Sequence, residues 1–210
     1  MKRKSIFALA LLLSLFINLQ AAPPTVPASG LTFPAANLDG NRFSMTFNKG
    51  NGAFRIIVVK AGSAVSSLPV NGVDYAANSS YGTAGTEFAP GDGYVIFKGS
   101  NGSSSVSQLV TNLQAGTTYF VSIFEFNGSG VATEYLMLPL SGNVSTKTAP
   151  TAQATISSFT AITGNKVTIN WSNGNGDRRL VIARKGAAVN ATPVNLTDYS
   201  ASAAFGSGTV

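Results

Sequence analysis

The side chains in this 210-residue sequence that could do acid–base chemistry at neutral pH are few. There are eight carboxylates, Asp39, Asp74, Glu87, Asp92, Glu125, Glu134, Asp177 and Asp198, and no histidine or cysteine. That absence removes Ser-His-Asp and Cys-His nucleophilic machinery and the usual zinc and iron ligands. None of the eight is adjacent to another, and no D-x-D-x-D calcium spacing occurs. A glycosidase pair would need two carboxylates to converge on one bond, whereas these fall mainly at turns. The sequence therefore predicts no catalytic residues, no cofactor and no bound metal.

The elements around these residues are those of a turn-rich β protein. Apolar residues make up 44% of the chain, enough for a packed core, while charged residues make up only 10% and glycines number 22; about a quarter charged is usual. The formal charge of +6 falls to +3, eleven basic against eight acidic residues, once Lys2, Arg3 and Lys4 are set aside. The remaining basic residues are scattered apart from Arg178-Arg179 and Arg184-Lys185. No clustered stripe of the kind that grips nucleic acid is visible.

Lys2-Arg3-Lys4 precedes an apolar run from Ile6 to Leu19, broken only by Ser14 and Asn18, and then small residues at Ala21 and Ala22. This is the pattern of an export signal, expected over residues 1–21. The run is shorter than the roughly 20 apolar residues a membrane span needs, so the expectation is a secreted or cell-surface protein without a transmembrane span. No cysteine follows the run to take a lipid, and a fold exported without cysteines must stand on its core alone.

The mature chain repeats itself. At a constant offset of 124, Gly50–Gly85 matches Gly174–Thr209 with 14 of 36 positions identical, among them Gly50, Asn51, Gly52, Arg55, Asp74 and Tyr75. Phe43, Met45 and Phe47 align with Val167, Ile169 and Trp171. Repeats of this length imply an array of similar domains. The expected organisation is a Pro-rich lead-in at 22–30, a first domain at 31–148, a linker at 149–155 and a second, incomplete domain at 156–210. The segment from Glu87 to Thr148 has no counterpart in the second copy, which suggests a truncated repeat with an unburied face around Trp171, Val181 and Ile182.

In the first copy Phe43–Asn48 alternates apolar and polar, as a half-buried strand does. Lys49–Gly52 reads as a turn; no helix follows, so the Gly-Asn-Gly is a hairpin and not a phosphate loop. Phe54–Lys60 is mostly β-branched and reads as a central strand. Further strands are expected at Leu31–Ala35, Tyr94–Phe97, Ser104–Val110, Thr117–Phe126 and, broken at Pro139, Glu134–Thr148. About seven short strands over about 120 residues point to a β-sandwich.

Leu113-Gln114-Ala115-Gly116-Thr117-Thr118-Tyr119, with Val121, Ile123 and Asn127-Gly128, resembles the E–F corner and F strand of fibronectin type III domains. Val167-Thr168-Ile169-Asn170-Trp171 resembles their B strand with its core tryptophan. The segments Arg55–Val59 and Gly62–Gly82 resemble a variant repeated in exported surface proteins of Bacteroidetes-type bacteria. The resemblance spans residues 30–210 and implies an all-β, immunoglobulin-like sandwich: one complete repeat followed by an incomplete one. It departs from the family in carrying Phe47 where tryptophan is expected and in a long insertion at 61–93; the Arg-Gly-Asp adhesion tripeptide is absent.

The resemblance implies structural roles for Tyr119, whose hydroxyl would bond back to the corner backbone, and for Phe47 and Trp171 as core anchors. It also makes the strands holding Arg55 and Glu125 antiparallel neighbours. Glu125 shares strand parity with Tyr119, Val121 and Ile123, so an Arg55–Glu125 pair across the sheet is expected. Tyr75 and Tyr81, repeated as Tyr199 and Phe205, could stack on sugars; pinning the insertion onto the sandwich is the expected role. Functionally the expectation is a non-catalytic adhesion or spacer module whose partners are other domains of the same or a longer polypeptide, or a surface polysaccharide or protein. A carbohydrate-binding accessory module of a secreted glycoside hydrolase is the alternative, and a free-standing enzyme the weakest.

Overall fold

The computed structural model describes residues 20–208 apart from 101, 103 and 196. The expected export signal therefore lies, except for its last two residues, outside the described residues. Among the described residues no helix is long and apolar enough to cross a membrane. The chain divides into two units, Met1–Thr148 and Ala149–Val210.

Among the described residues unit 1 holds eight strands: β1 (Ser29–Thr32), β2 (Phe43–Asn48), β3 (Phe54–Ala61), β4 (Tyr94–Gly99), β5 (Ser105–Val110), β6 (Thr118–Asn127), β7 (Glu134–Tyr135) and β8 (Leu140–Ser145). They form a three-stranded sheet in the order β1-β2-β5 and a five-stranded sheet in the order β4-β3-β6-β7, with β8 also paired to β6. All of these strand pairings are antiparallel. Strand β1 starts at Ser29, two residues before the expected Leu31, and the strand expected from Glu134 is only two residues long before the chain re-enters the sheet at Leu140 beyond Pro139.

The alternation in β2 does what it suggests: Phe43, Met45 and Phe47 are fully buried and meet Ile57, Val59, Val121 and Ile123 from the other sheet in one apolar cluster. Two antiparallel sheets closed over a shared core in this order make unit 1 an all-β, immunoglobulin-like β-sandwich.

The five-stranded sheet is buried on both faces. Residues of the other parity, Ile56 and Val58 on β3 with Phe124 and Phe126 on β6, form a second cluster with Phe88, Val95 and Tyr135. Its cover is the insertion between β3 and β4, which has almost no regular structure of its own. This is why β3 and β6 are apolar at consecutive positions, as strands with no wet face must be.

Among the described residues unit 2 contains one hairpin, β9 (Thr155–Thr160) paired antiparallel with β10 (Thr168–Ser172). Trp171, expected as a core anchor, is 43% exposed; among the described residues β10 pairs only with β9. The segment Arg178–Lys185, the counterpart of β3, is not a strand. In unit 1 that strand is bonded on both edges, by β4 and by β6; among the described residues of unit 2 no strand pairs with Arg178–Lys185. Leu180, Val181 and Ile182 are consequently exposed.

Candidate functional site

Two of the residues singled out, Arg55 and Glu125, meet at one end of the five-stranded sheet. Arg55 and Glu125 are direct register partners on β3 and β6, and both side chains are fully buried. Nε of Arg55 donates to Glu125 Oε1 at 3.1 Å and Nη2 to Oε2 at 3.2 Å, a bidentate fork. The guanidinium also donates to the carbonyls of Ser100 and Gly52, and the backbone N–H of Gly50 donates to Glu125 Oε1 at 2.9 Å. A Cβ at Gly52 would lie 2.7 Å from Glu125 Oε2, and one at Gly50 would lie 2.0 Å from the carbonyl oxygen of Val26. The Gly-Asn-Gly turn is therefore required by close approach. Between the two glycines, Asn51 Oδ1 accepts from the N–H groups of Thr25 and Val26 and ties the lead-in to the turn. Both Glu125 oxygens accept and all three Arg55 guanidinium nitrogens donate, so this solvent-shielded pair ties the two strands to the turn.

Tyr119 is 1% exposed and its hydroxyl accepts from the N–H of Gln114 at 2.8 Å, the corner bond expected of it. Phe47 is 2% exposed in the core.

Both candidate ligand-facing tyrosines turn inward. Tyr75 packs against Phe88 and Tyr135, with ring centroids 5.1 and 6.0 Å apart, and its hydroxyl accepts from Val70 N–H. Tyr81 meets Tyr94 and Tyr119 edge-on at 5.0 and 5.2 Å, and its hydroxyl accepts from Ala61 N–H. Burial raises the pKa of the Tyr81 hydroxyl above its ordinary value. These contacts pin the insertion onto the sandwich. Tyr81 does line an open cleft of about 360 Å³, with Asn112 and Gln114 among its other walls.

Sequence patterning did not foresee the other pins. Asn71 donates to the Glu134 carboxylate and accepts from Tyr135 N–H, while the Tyr135 hydroxyl donates to the carbonyl of Val73. The clearest latch is Asp92, 4% exposed. It accepts from the N–H groups of Ser66 and Ser67, from the Ser66 hydroxyl and from Lys60 Nζ at 2.6 Å, and so joins both ends of the insertion to β3. Burial alone would push its carboxyl up; the Lys60 ammonium and the bonds from Ser67 and Ser66 outweigh burial and hold it well below the usual carboxylate range. Asn71 is among the residues identical in both copies, which was its signal; Asp92 falls where the second copy offers no comparison.

Asp92→Asn should cost about 1–3 kcal/mol near neutral pH, the range for a buried group left partly unsatisfied. A depressed folded-state pKa contributes stability that is complete above the unfolded pKa, about 4 for Asp, and is lost as pH falls toward the folded value. The melting temperatures of wild type and Asp92→Asn should therefore differ by a constant amount near neutrality and converge below about pH 4. A gap that stays constant into strong acid would remove the Asp92 latch as its source.

Among the described residues no group of three or more His, Cys, Asp or Glu could hold a metal ion. Compared with family models and with curated proteins, the chain matches none. Among solved structures, a chain from the computer-based redesign of a β-sandwich protein is similar at 15% identity, over 58% of this chain and 95% of that one, with a TM-score of 0.37.

Proposed function

We propose that this chain is a non-catalytic structural or interaction module of a secreted or cell-surface protein, built from fibronectin-type-III-like repeats, whose partners are other domains of the same or a longer polypeptide. The observation that carries this reading is how the acidic side chains of unit 1 are used. Asp39 pairs with Arg42, Asp74 with Lys98, Asp92 with Lys60 and Glu125 with Arg55. Glu87 accepts from Gly91 N–H, and Glu134 accepts from Asn71. Each carboxylate closes a turn, fastens the insertion or bridges two strands, and such groups are structural partners before they are acids or bases. The inward packing of Tyr75 and Tyr81 supports the same reading.

The test is retention on polysaccharides. The full chain and its Tyr81→Ala variant, run by affinity electrophoresis through gels of soluble polysaccharides, should migrate alike in every gel. Saturable retardation of the wild type that Tyr81→Ala abolishes would overturn the proposal in favour of a carbohydrate-binding module using the Tyr81 cleft.

A further inference from the structure

Four carboxylates of unit 1, Asp39, Asp74, Asp92 and Glu125, are paired with a lysine or arginine. Glu87 has no such partner but is exposed. Glu134 differs from all of these. It is 6% exposed, and the ion pairs of the described residues include none to it. Its two oxygens are held by neutral carboxamides, Oε2 by Asn71 Nδ2 and Oε1 by Gln20 Nε2. A carboxylate taken out of water without a cation is costly, and an amide dipole replaces only part of what a full charge supplies. Gln20 also belongs to the expected export signal, residues 1–21, so one of the two amides is due to leave.

The residues that follow Gln20 are fastened to the sandwich. The Ala22 carbonyl accepts from Asn127 Nδ2 at 2.8 Å, Pro24 is buried, the N–H groups of Thr25 and Val26 donate to Asn51, and Ala28 is 3% exposed. Asn127 and Glu134 are register partners on β6 and β7, so their side chains leave one face of the sheet with Cβ atoms about 5 Å apart. Asn127 thereby holds Ala22 beside the Glu134 carboxylate. Only the carbonyl carbon and Cα of Ala22 separate the gripped oxygen from the Ala22 nitrogen, and Pro23 confines Ala22 to extended backbone. We infer that the export signal is cut between Ala21 and Ala22 and that Glu134 is the seat of the ammonium this cut releases. A signal-removing peptidase hydrolyses the bond with one water. The water oxygen goes to the new Ala21 carboxylate, and its two protons join the one already on the Ala22 nitrogen to make an ammonium. An α-amino group titrates near pH 8, so it is charged at neutrality. Gln20 departs with the released segment, and the ammonium takes its place on Glu134. Cutting and folding are thus coupled: the trimmed chain supplies the cation that the untrimmed one lacks.

The test starts from the full chain, expressed in a bacterial host that exports it. Mass spectrometry of the exported product should show Ala22 at its N-terminus. That product and its Glu134→Gln variant are then treated at pH 7 with a limiting amount of an amine-acetylating ester, and the modified peptides are quantified. The α-amine should react at least about fivefold more slowly in the wild type than in Glu134→Gln, because a seated ammonium of a shielded pair is held from the reagent. The exposed Lys166 should react alike in both. Wild type whose α-amine alone has been acetylated should melt at least about 2 °C lower than the untreated protein, the shift expected for roughly 1 kcal/mol in a domain of this size, and the same acetylation should leave Glu134→Gln unchanged. If Glu134→Gln does not fold, the acetylated wild type decides by itself, and an unchanged melting temperature overturns the inference. Equal reaction of the two α-amines also overturns it. The inference rests on the secreted reading above, and the outcomes separate the two. A product that keeps residues 2–21 overturns both, whereas one cut before Ala22 with an unprotected α-amine overturns the Glu134 seat and leaves export standing.

Discussion

Glu125→Ala lowers the stability of unit 1 by about 3–5 kcal/mol, the cost of leaving one member of a buried ion pair without its partner. Both side chains of the Arg55–Glu125 pair are fully shielded from solvent. Removing the carboxylate strands the guanidinium with only the carbonyls of Ser100 and Gly52, and strands the N–H of Gly50 as well. Arg55→Met is expected to cost a similar amount, because it leaves the Glu125 carboxylate buried with a single backbone donor. The double variant Arg55→Met/Glu125→Leu should recover much of the loss, since apolar residues of similar volume often replace buried ion pairs at little cost. It will not recover all of it, because Gly50 N–H remains unpaired, at about 1–3 kcal/mol. Denaturant unfolding of the wild type, Arg55→Met, Glu125→Leu and the double variant, followed by far-ultraviolet circular dichroism, closes the cycle; contacting partners should couple by about 0.5 kcal/mol or more. Single variants that each cost under about 1 kcal/mol would show that water reaches the pair and that it behaves as a surface salt bridge.

Phe88→Ala should be nearly as costly, at about 3–5 kcal/mol for an aromatic side chain removed from a close-packed site. Phe88 belongs to the insertion, not to a strand, yet it is 5% exposed and lies over the outer face of the large sheet. Its ring stacks on Phe124 at 5.9 Å and meets Tyr75 at 5.1 Å. If this cluster is a true second core, the substitution destabilises the sandwich and also speeds amide exchange across residues 62–92, because the same contact orders the loop. A loop merely resting on a finished sandwich would give faster exchange with almost no change in global stability. The backbone bonds that Gly72 N–H and Tyr81 N–H donate to the carbonyls of Thr133 and Thr111 should be among those whose protection falls.

The two predictions meet on β6, where Phe124 neighbours Glu125, and the contrast between what could and could not be read beforehand runs through β6 and its partner β3. Strand parity was legible. Phe43, Met45 and Phe47 alternate with polar neighbours, and a strand of period two has only one way to present them to a core. The same parity, with antiparallel pairing of two strands taken from the resemblance, was enough to set Arg55 against Glu125. Half of a second signal was also present. Ile56 and Val58 are as apolar as Ile57 and Val59, and Phe124 and Phe126 flank Glu125, so neither strand has a polar face. That pattern announces a covering layer without saying what the layer is.

The sequence by itself determined the all-β class, the internal repeat and the inward face of the strands, because period-two patterning and turn residues act locally. It also marked the glycines that Glu125 and the lead-in approach closely, since both copies keep them. Only the tertiary structure decided that the insertion is a second cover, that Asp92 is its latch and that Tyr75 and Tyr81 face inward. Those contacts join residues tens of positions apart through a segment with no period, where chain geometry and not local propensity chooses the partner. The same reason governs Trp171. Its residue type and neighbours are those of a core anchor, but a side chain is buried by what packs over it, and among the described residues of unit 2 no second sheet lies over β10.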